Sequence, residues 1–251
     1  MTVTRWRVAV TRDEDSWGPL STALRDEGFA PQPCPVLIER PPADSSDLDE
    51  AATSLDGFDW VICASARAVR ALMAARQTPW PARVRAAAVG ARTAVALAEA
   101  GAANVFTAPE AGAEALRAAL AGAERWPGRD VLVPSVKGGR RELIEGLVAA
   151  GARVTVVEAY AMVPRSPAEI AETWRSIAPD SAVVASPLVG ARLAEAVGAR
   201  ALRDLRAVVA IGATTQRALR AHGVETTTPE SADFPAIAKH LAALWASRGD
   251  M

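Results

Sequence analysis

The 251-residue chain is half apolar, 23% charged and has a formal net charge of −1 at pH 7, so it can fill two cores of ordinary domain size and has no general attraction to nucleic acid or to an anionic membrane. No apolar run approaches the ~18 residues of a membrane span, and the N-terminal stretch MTVTRWRVAVTR lacks the apolar core and cleavage site of a signal peptide, so a cytoplasmic location is expected. Of the 28 basic residues only Lys137 and Lys239 are lysine, and this arginine bias beside abundant alanine reads first as coding bias.

Along the chain, short apolar or β-branched runs predict strands at 6–10, 35–38, 59–63, 86–89, 104–106, 130–133, 154–157, 182–185, 207–211 and, weakly, 224–227. Between them lie stretches with apolar residues at helical spacing, such as Leu20, Leu24 and Phe29, or Leu143, Leu147 and Val148. Several close on a glycine, Gly28, Gly101, Gly151 and Gly223, where a helix C-cap belongs. Apolar strands alternating with helices predict parallel sheets covered on both faces, that is, two doubly wound α/β modules. The Pro-rich 31–42 and the segment 160–167 are the linker candidates, because proline forces extended backbone. A plain tandem layout would instead divide the chain near 122–128.

The second half echoes the first. Residues 59–72 (DWVICASARAVRAL) align with 180–193 (DSAVVASPLVGARL) at an offset of 121. Residues 89–101 (VGARTAVALAEAG) align with 211–223 (IGATTQRALRAHG) at 122, and Val8, Leu20 and Leu24 align with Val131, Leu143 and Leu147 at 123. A near-constant offset over three blocks means two similar modules.

Chemistry-bearing residues are few. His222 abuts a helix end and His240 lies on the last helix, both better read as surface residues than as catalysts. Cys34 and Cys63 sit in apolar runs and are expected to be buried, inert thiols. No metal-ligand spacing, Walker loop or G-x-G-x-x-G following a strand is present, so neither a metal nor a nucleotide cofactor is expected.

Small polar residues recur at strand ends instead. Ser65 and Ser186 each follow an apolar strand and can cap the next helix. Gly90 and Gly212 each open a helix whose first turn carries Thr93 or the pair Thr214 and Thr215, where backbone N–H groups are unpaired and the helix dipole is positive. In an open parallel sheet these carboxyl ends are where ligands bind, and such rims suit a large anion. Arg12, Arg67, Arg92, Lys137, Arg140 and Arg141 add positive charge near the same ends, although each also reads as an ordinary solvated residue.

The ordered set VAVTR (8–12), FDWVICASARAVRAL (58–72), AAVGARTAVAL (87–97), VLVPSVKGGRREL (131–143), GARVTVVEAY (151–160), VVASP (183–187) and AIGATTQRAL (210–219) resembles the uroporphyrinogen-III synthase family. The resemblance implies two flavodoxin-like domains, 1–37 with 165–251 and 42–158, joined by linker strands 38–41 and 159–164. It implies closure of the linear tetrapyrrole hydroxymethylbilane in the cleft between them, with loss of water and inversion of the last ring, and no cofactor or metal. Tyr160, the only tyrosine, matches the residue that would assist departure of the hydroxyl, since a phenol is protonated at neutral pH and can donate to it; a tyrosine that packs the hinge is the structural alternative. Substrate contacts would fall on Arg12, Ser65, Arg67, Gly90, Thr93, Ser135, Lys137, Gly138, Ser186, Thr214 and Thr215. Ala64 and Ala185 stand where the family often has Thr, and Ser135 where a basic residue is common. Handover of the unstable substrate from the preceding enzyme is the expected partner contact, and a non-catalytic, synthase-derived sensing or regulatory module is the alternative function.

Overall fold

The computed structural model describes residues 6–13, 18–110, 112–139 and 141–247. Arg140 lies outside them. In chain order the elements are β1 (Arg7–Val10), α1 (Pro19–Asp26), β2 (Ala30–Pro33), β3 (Leu37–Arg40), α2 (Ser46–Thr53), β4 (Trp60–Cys63), α3 (Ala66–Ala75), β5 (Arg85–Ala88) and α4 (Ala91–Glu99). They continue with β6 (Phe106–Thr107), α5 (Ala113–Ala123), β7 (Asp130–Val136), α6 (Glu142–Ala149), β8 (Arg153–Pro164), α7 (Pro167–Ile177) and β9 (Ser181–Val184). The last five are α8 (Pro187–Val197), α9 (Ala199–Arg203), β10 (Ala207–Ala210), α10 (Ala213–Ala221) and α11 (Phe234–Ala246).

The chain divides into two compact units, Met1–Ile38 with Val163–Met251, and Glu39–Met162. Both crossings between the units fall inside strands, β3 and β8.

In the first unit the sheet runs β2-β1-β9-β10, and Thr227 bridges Val209 on the outer side of β10 in parallel fashion. In chain order within the unit this is 2-1-3-4-5, the flavodoxin arrangement. In the second unit the order is β3-β8-β7-β4-β5-β6. With β7 and β8 counted first and second, its five main strands repeat the same 2-1-3-4-5 order, and β3 extends the edge. The registered strand pairs are parallel throughout, as expected for strands joined through helices.

Each sheet is covered on both faces because the central positions of its inner strands are apolar on both sides. On β1, Val8 and Val10 enter one core cluster and Ala9 the other; on β4, Trp60 and Ile62 face one cluster while Val61 and Cys63 face the other. This two-residue alternation between two buried faces explains why these runs show no polar-apolar periodicity in sequence.

The duplication reappears in the hydrogen bonds. Asp59 accepts the Asp130 N–H at 2.9 Å through its carboxylate and the Arg85 N–H at 3.0 Å through its carbonyl. Its counterpart Asp180 accepts the Arg7 N–H at 2.8 Å and the Arg206 N–H at 2.9 Å in the same two ways. The equivalent arginines also stack on tryptophan, Arg85 over Trp60 at 4.0 Å and Arg206 over Trp245 at 4.5 Å.

Two departures from the sequence reading have clear causes. The proline-rich segment is not all linker: Ala30–Pro33 forms β2, pairing with β1 from Arg7↔Ala30 to Val10↔Pro33. Ala30 and Cys34 donate to Trp6 and Val10 at 2.8 and 2.9 Å, so the intervening Pro31 and Pro33, which have no N–H, face the open edge where proline is tolerated. The expected strand at 224–227 contracts to the single bridge at Thr227.

Candidate functional site

The carboxyl ends of the second unit's strands carry the larger share of the expected residues. Ser65 follows β4 and caps α3, its hydroxyl accepting the Arg67 N–H at 3.1 Å. Ser135 lies near the end of β7 and Tyr160 on β8. All three line one cavity of about 330 Å³, whose other walls come from Ala64, Ala68, Val89, Leu143 and neighbours. Lys137 and Gly138 line an adjoining cavity of about 280 Å³ that shares Ser135, Val136, Gly139 and Ile144 with the first.

A β-bulge sets the position of Tyr160. The β7–β8 register runs Ser135↔Glu158 and then Val136↔Tyr160, so Ala159 is skipped. The extra residue breaks the strict alternation and lets Val157, Ala159 and Tyr160 all enter the same core cluster, the re-aiming that bulges produce beside functional sites. The Tyr160 carbonyl then accepts the Lys137 N–H at 3.1 Å, and the turn closes through Gly139 N–H to the Val136 carbonyl at 3.0 Å. Gly138, at φ 66°, occupies the left-handed region that this turn requires. Tyr160 is 7% exposed, and its hydroxyl makes no hydrogen bond among the described residues.

Arg67 is engaged within its own unit. Its Nε lies 2.9 Å from Glu39 Oε2 and its Nη1 donates to Met162 Sδ at 3.4 Å, while Arg70 approaches the same Glu39 oxygen at 3.9 Å. A ligand carboxylate must therefore compete with Glu39 for it. Gly90 is the N-cap of α4 with φ −157°, and a Cβ there meets nothing within 4 Å. Neither backbone conformation nor crowding demands glycine, and Ser, Thr or Asp would cap better. What glycine leaves is open access to the N–H groups of the first turn. Thr93, in that turn, is only 5% exposed, so the backbone rather than its side chain forms the rim.

In the first unit Gly212 repeats this geometry at α10 with φ −157° and open space, and Thr215 is likewise buried at 3% while Thr214 is exposed. The Thr93 and Thr215 side chains, expected as contacts, are thus turned into the core, and only the first-turn backbone of these helices is left at the rim. Ser186 caps α8 through the Val189 N–H at 3.4 Å. Arg12, just past β1, stands over the Phe234 ring at 4.9 Å. At the position matching Ser135 the first unit therefore has a cation, and at the position matching Tyr160 it has Leu37. The two halves share a scaffold and differ in chemistry.

The remaining expectations place simply. Arg92 is exposed, and Arg141 lies 3.7 Å from Glu145. His240 Nε2 meets Thr227 Oγ1 at 3.0 Å, and His222 is the C-cap of α10. Burial pushes the Cys63 thiol up to about 12, and pushes Cys34 up to about 11 against the lowering effect of Arg165, which leaves neither as a nucleophile at neutral pH. Among the described residues no three His, Cys, Asp or Glu side chains stand together as a metal site, and no helix is long and apolar enough to cross a membrane. Glu39, the Ala159 bulge and the cavity walls went unread in the sequence, and nothing in composition or spacing marks them.

Two α/β units of flavodoxin strand order, each with its polar rim at the carboxyl ends of parallel strands, define a doubly wound ligand-binding protein. The uroporphyrinogen-III synthase HemD profile matches residues 18–239, and the chain belongs to that family. A uroporphyrinogen-III synthase from Synechococcus elongatus is 35% identical over 189 residues, 71% of this chain, and the chain spans 65% of that relative's length. The fold is shared with a mutant uroporphyrinogen III synthase from Thermus thermophilus, at TM-score 0.56 and 20% identity over 96% of this chain and 99% of that one. It is also shared with uroporphyrinogen-III synthetase from Helicobacter pylori, at TM-score 0.60 and 14% identity over 96% and 99%.

Proposed function

We infer that this protein is a cyclising lyase of tetrapyrrole biosynthesis, a uroporphyrinogen-III synthase that closes hydroxymethylbilane with loss of water and inversion of the last ring. It works in the cytoplasm and needs no cofactor. The observation that carries the reading is Tyr160: in a chain of this family, a phenol without a hydrogen-bond partner among the described residues lines a cavity of the second unit.

The chemistry follows from that placement. As the C–O bond of the hydroxymethyl group breaks, the electron pair leaves with oxygen and Tyr160 supplies the proton, so water departs. The ring left behind is a cation, and the substituted carbon of the last ring attacks it to form a spiro intermediate. Reopening and reclosure invert that ring, and the proton released as the ring regains aromaticity restores the phenol. Arg12, Arg67, Lys137, the Gly138 turn, the hydroxyls of Ser65, Ser135, Ser186 and Thr214, and the first-turn N–H groups after Gly90 and Gly212 hold the carboxylates. Because the bilane can close unaided to the wrong isomer, most of the catalysis is positioning, and transient contact with the enzyme that delivers the bilane completes the reading.

The test is to generate hydroxymethylbilane in the presence of the protein and separate the uroporphyrinogen isomers. Isomer III in excess over isomer I is expected; isomer I alone overturns the reading.

A further inference from the structure

The Arg67 side chain reaches both strands in which the chain crosses between its units. Its Nε lies 2.9 Å from Glu39 Oε2 on β3, and its Nη1 donates to Met162 Sδ on β8 at 3.4 Å. Glu39 and Met162 are the first and last residues of the second unit. Met162 follows Tyr160 by two positions on β8, so their side chains leave the strand on one face about 7 Å apart, Tyr160 within the core cluster and Met162 packed against it. The guanidinium is therefore fixed close to the proposed site by a carboxylate that belongs to the protein itself.

The same Glu39 oxygen lies 3.9 Å from Arg70 Nη2. Arg67 and Arg70 are three positions apart on α3, where side chains are neighbours on one helix face. One carboxylate thus stands between two cations, close to the first and just within ion-pair range of the second. It also has room to move. Glu39, Arg70 and Tyr160 line a cavity of about 520 Å³, and the Glu39 and Arg70 side chains are 33% and 64% exposed, so packing locks neither of them.

We propose that Glu39 is a positioning residue that occupies Arg67 in place of a substrate carboxylate and yields it on binding by turning to Arg70. The incoming carboxylate takes over the Arg67 Nε as Glu39 shifts along α3, so every charge keeps a partner through the exchange and none is left bare. The two arginines then have different tasks: Arg67 receives the substrate, and Arg70 receives Glu39. This rests on the reading that Arg67 holds a carboxylate of the bilane. It also demands the opposite sign from a structural ion pair, because removing the Glu39 charge should tighten binding.

The test titrates the full chain with uroporphyrin III, a stable tetrapyrrole with an acetate and a propionate on every ring, and follows the fluorescence of the porphyrin. The proteins are the wild type, Glu39→Gln, Arg70→Gln and the double variant, each verified as folded by its melting temperature. Pairs this exposed contribute modestly, so affinity should rise about two- to fivefold in Glu39→Gln and fall by a similar factor in Arg70→Gln. The loss from Arg70→Gln should vanish once Glu39→Gln is present, since no carboxylate is left for Arg70 to receive. The KM for hydroxymethylbilane should move in the same direction in each protein. Unchanged or weaker binding in folded Glu39→Gln overturns the exchange, as does an Arg70→Gln loss that persists in the double variant. If isomer III forms but Glu39→Gln does not tighten binding, the exchange falls while the activity stands. If Glu39→Gln tightens porphyrin binding and no isomer III forms, the activity falls while the exchange stands. A wild type that neither binds the porphyrin nor consumes hydroxymethylbilane overturns both.

Discussion

A methyl group at Gly139 creates a conflict whose size the coordinates set. A Cβ built there lies 2.6 Å from Ser135 Oγ, 3.1 Å from the Val136 carbonyl oxygen and 3.2 Å from Val136 Cγ1. The first distance is shorter than any tolerated contact, so the Ser135 hydroxyl must swing away, and an off-rotamer side chain costs about 0.5–1.5 kcal/mol. The other two require small shifts of the Val136 side chain and of its carbonyl, which already accepts the Gly139 N–H at 3.0 Å. Overpacking of this kind costs about 1–3 kcal/mol in all, which is the destabilisation expected for Gly139→Ala. Because the closest conflict is with Oγ, adding Ser135→Ala should return about 0.5–1.5 kcal/mol. Urea unfolding of the wild type, both single variants and the double variant reads that coupling. Strictly additive losses, or Gly139→Ala at wild-type stability, would refute the close approach.

Ser65→Asp preserves an N-cap but puts a carboxylate on the cavity that Ser65, Ser135 and Tyr160 share; melting temperature within a few degrees of wild type and kcat/KM at least ~10-fold lower are expected, and normal turnover counts against the cavity as a site. Arg12→Ala and Arg67→Ala should each raise KM only a few-fold in steady-state assays, since backbone N–H groups share the load; abolished turnover in a folded variant contradicts distributed binding. Glu124, 8% exposed, accepts the Arg125 N–H at 2.8 Å and the Trp60 indole at 3.2 Å and pairs with Arg85 and Arg129, so Glu124→Gln should cost about 1–3 kcal/mol in chemical unfolding. Burial works to raise the Glu124 carboxyl, yet the Arg125 N–H, the indole and the two arginines hold it below its ordinary value, and Asp130 is lowered chiefly by its hydrogen bond from Arg153. Depressed carboxylates stabilise fully above the unfolded carboxylate range of about 4 and lose that contribution as pH falls through their native values. Melting temperature should therefore drop in acid less steeply for the Glu124→Gln, Asp130→Asn double variant than for the wild type, and parallel curves would contradict these shifts.

The fold was legible because both sheets are covered on both faces and because the duplication kept Asp59 and Asp180 in register. Proline obscured β2, since Pro31 and Pro33 read as breakers unless the strand is known to lie at an edge. Ser65, Ser135 and Tyr160 were legible one at a time, whereas their shared cavity depends on the Ala159 bulge within β8, which has no sequence signature. Arg67 read as an available cation, although Glu39, 28 positions away in the chain, already engages it. Thr93 and Thr215 read as rim hydroxyls, but the third position of their helices turns toward the core. Long-range pairing and helix rotation are settled by packing, and local pattern does not encode them.

The central claim is that the Tyr160 hydroxyl supplies the proton to the departing oxygen. Tyr160→Phe removes one oxygen that has no hydrogen-bond partner among the described residues and keeps the ring in its core cluster, so the fold should hold with a stability change within about 0.5 kcal/mol. Tyr160→Ala removes the ring as well and should cost about 3–5 kcal/mol. The single-turnover rate of hydroxymethylbilane consumption in Tyr160→Phe is the deciding measurement. A fall of ~10²–10⁴, the size of a general-acid contribution, with an unchanged melting temperature is predicted. A wild-type rate in Tyr160→Phe, with activity lost only in a destabilised Tyr160→Ala, would contradict the account and leave Tyr160 as packing alone.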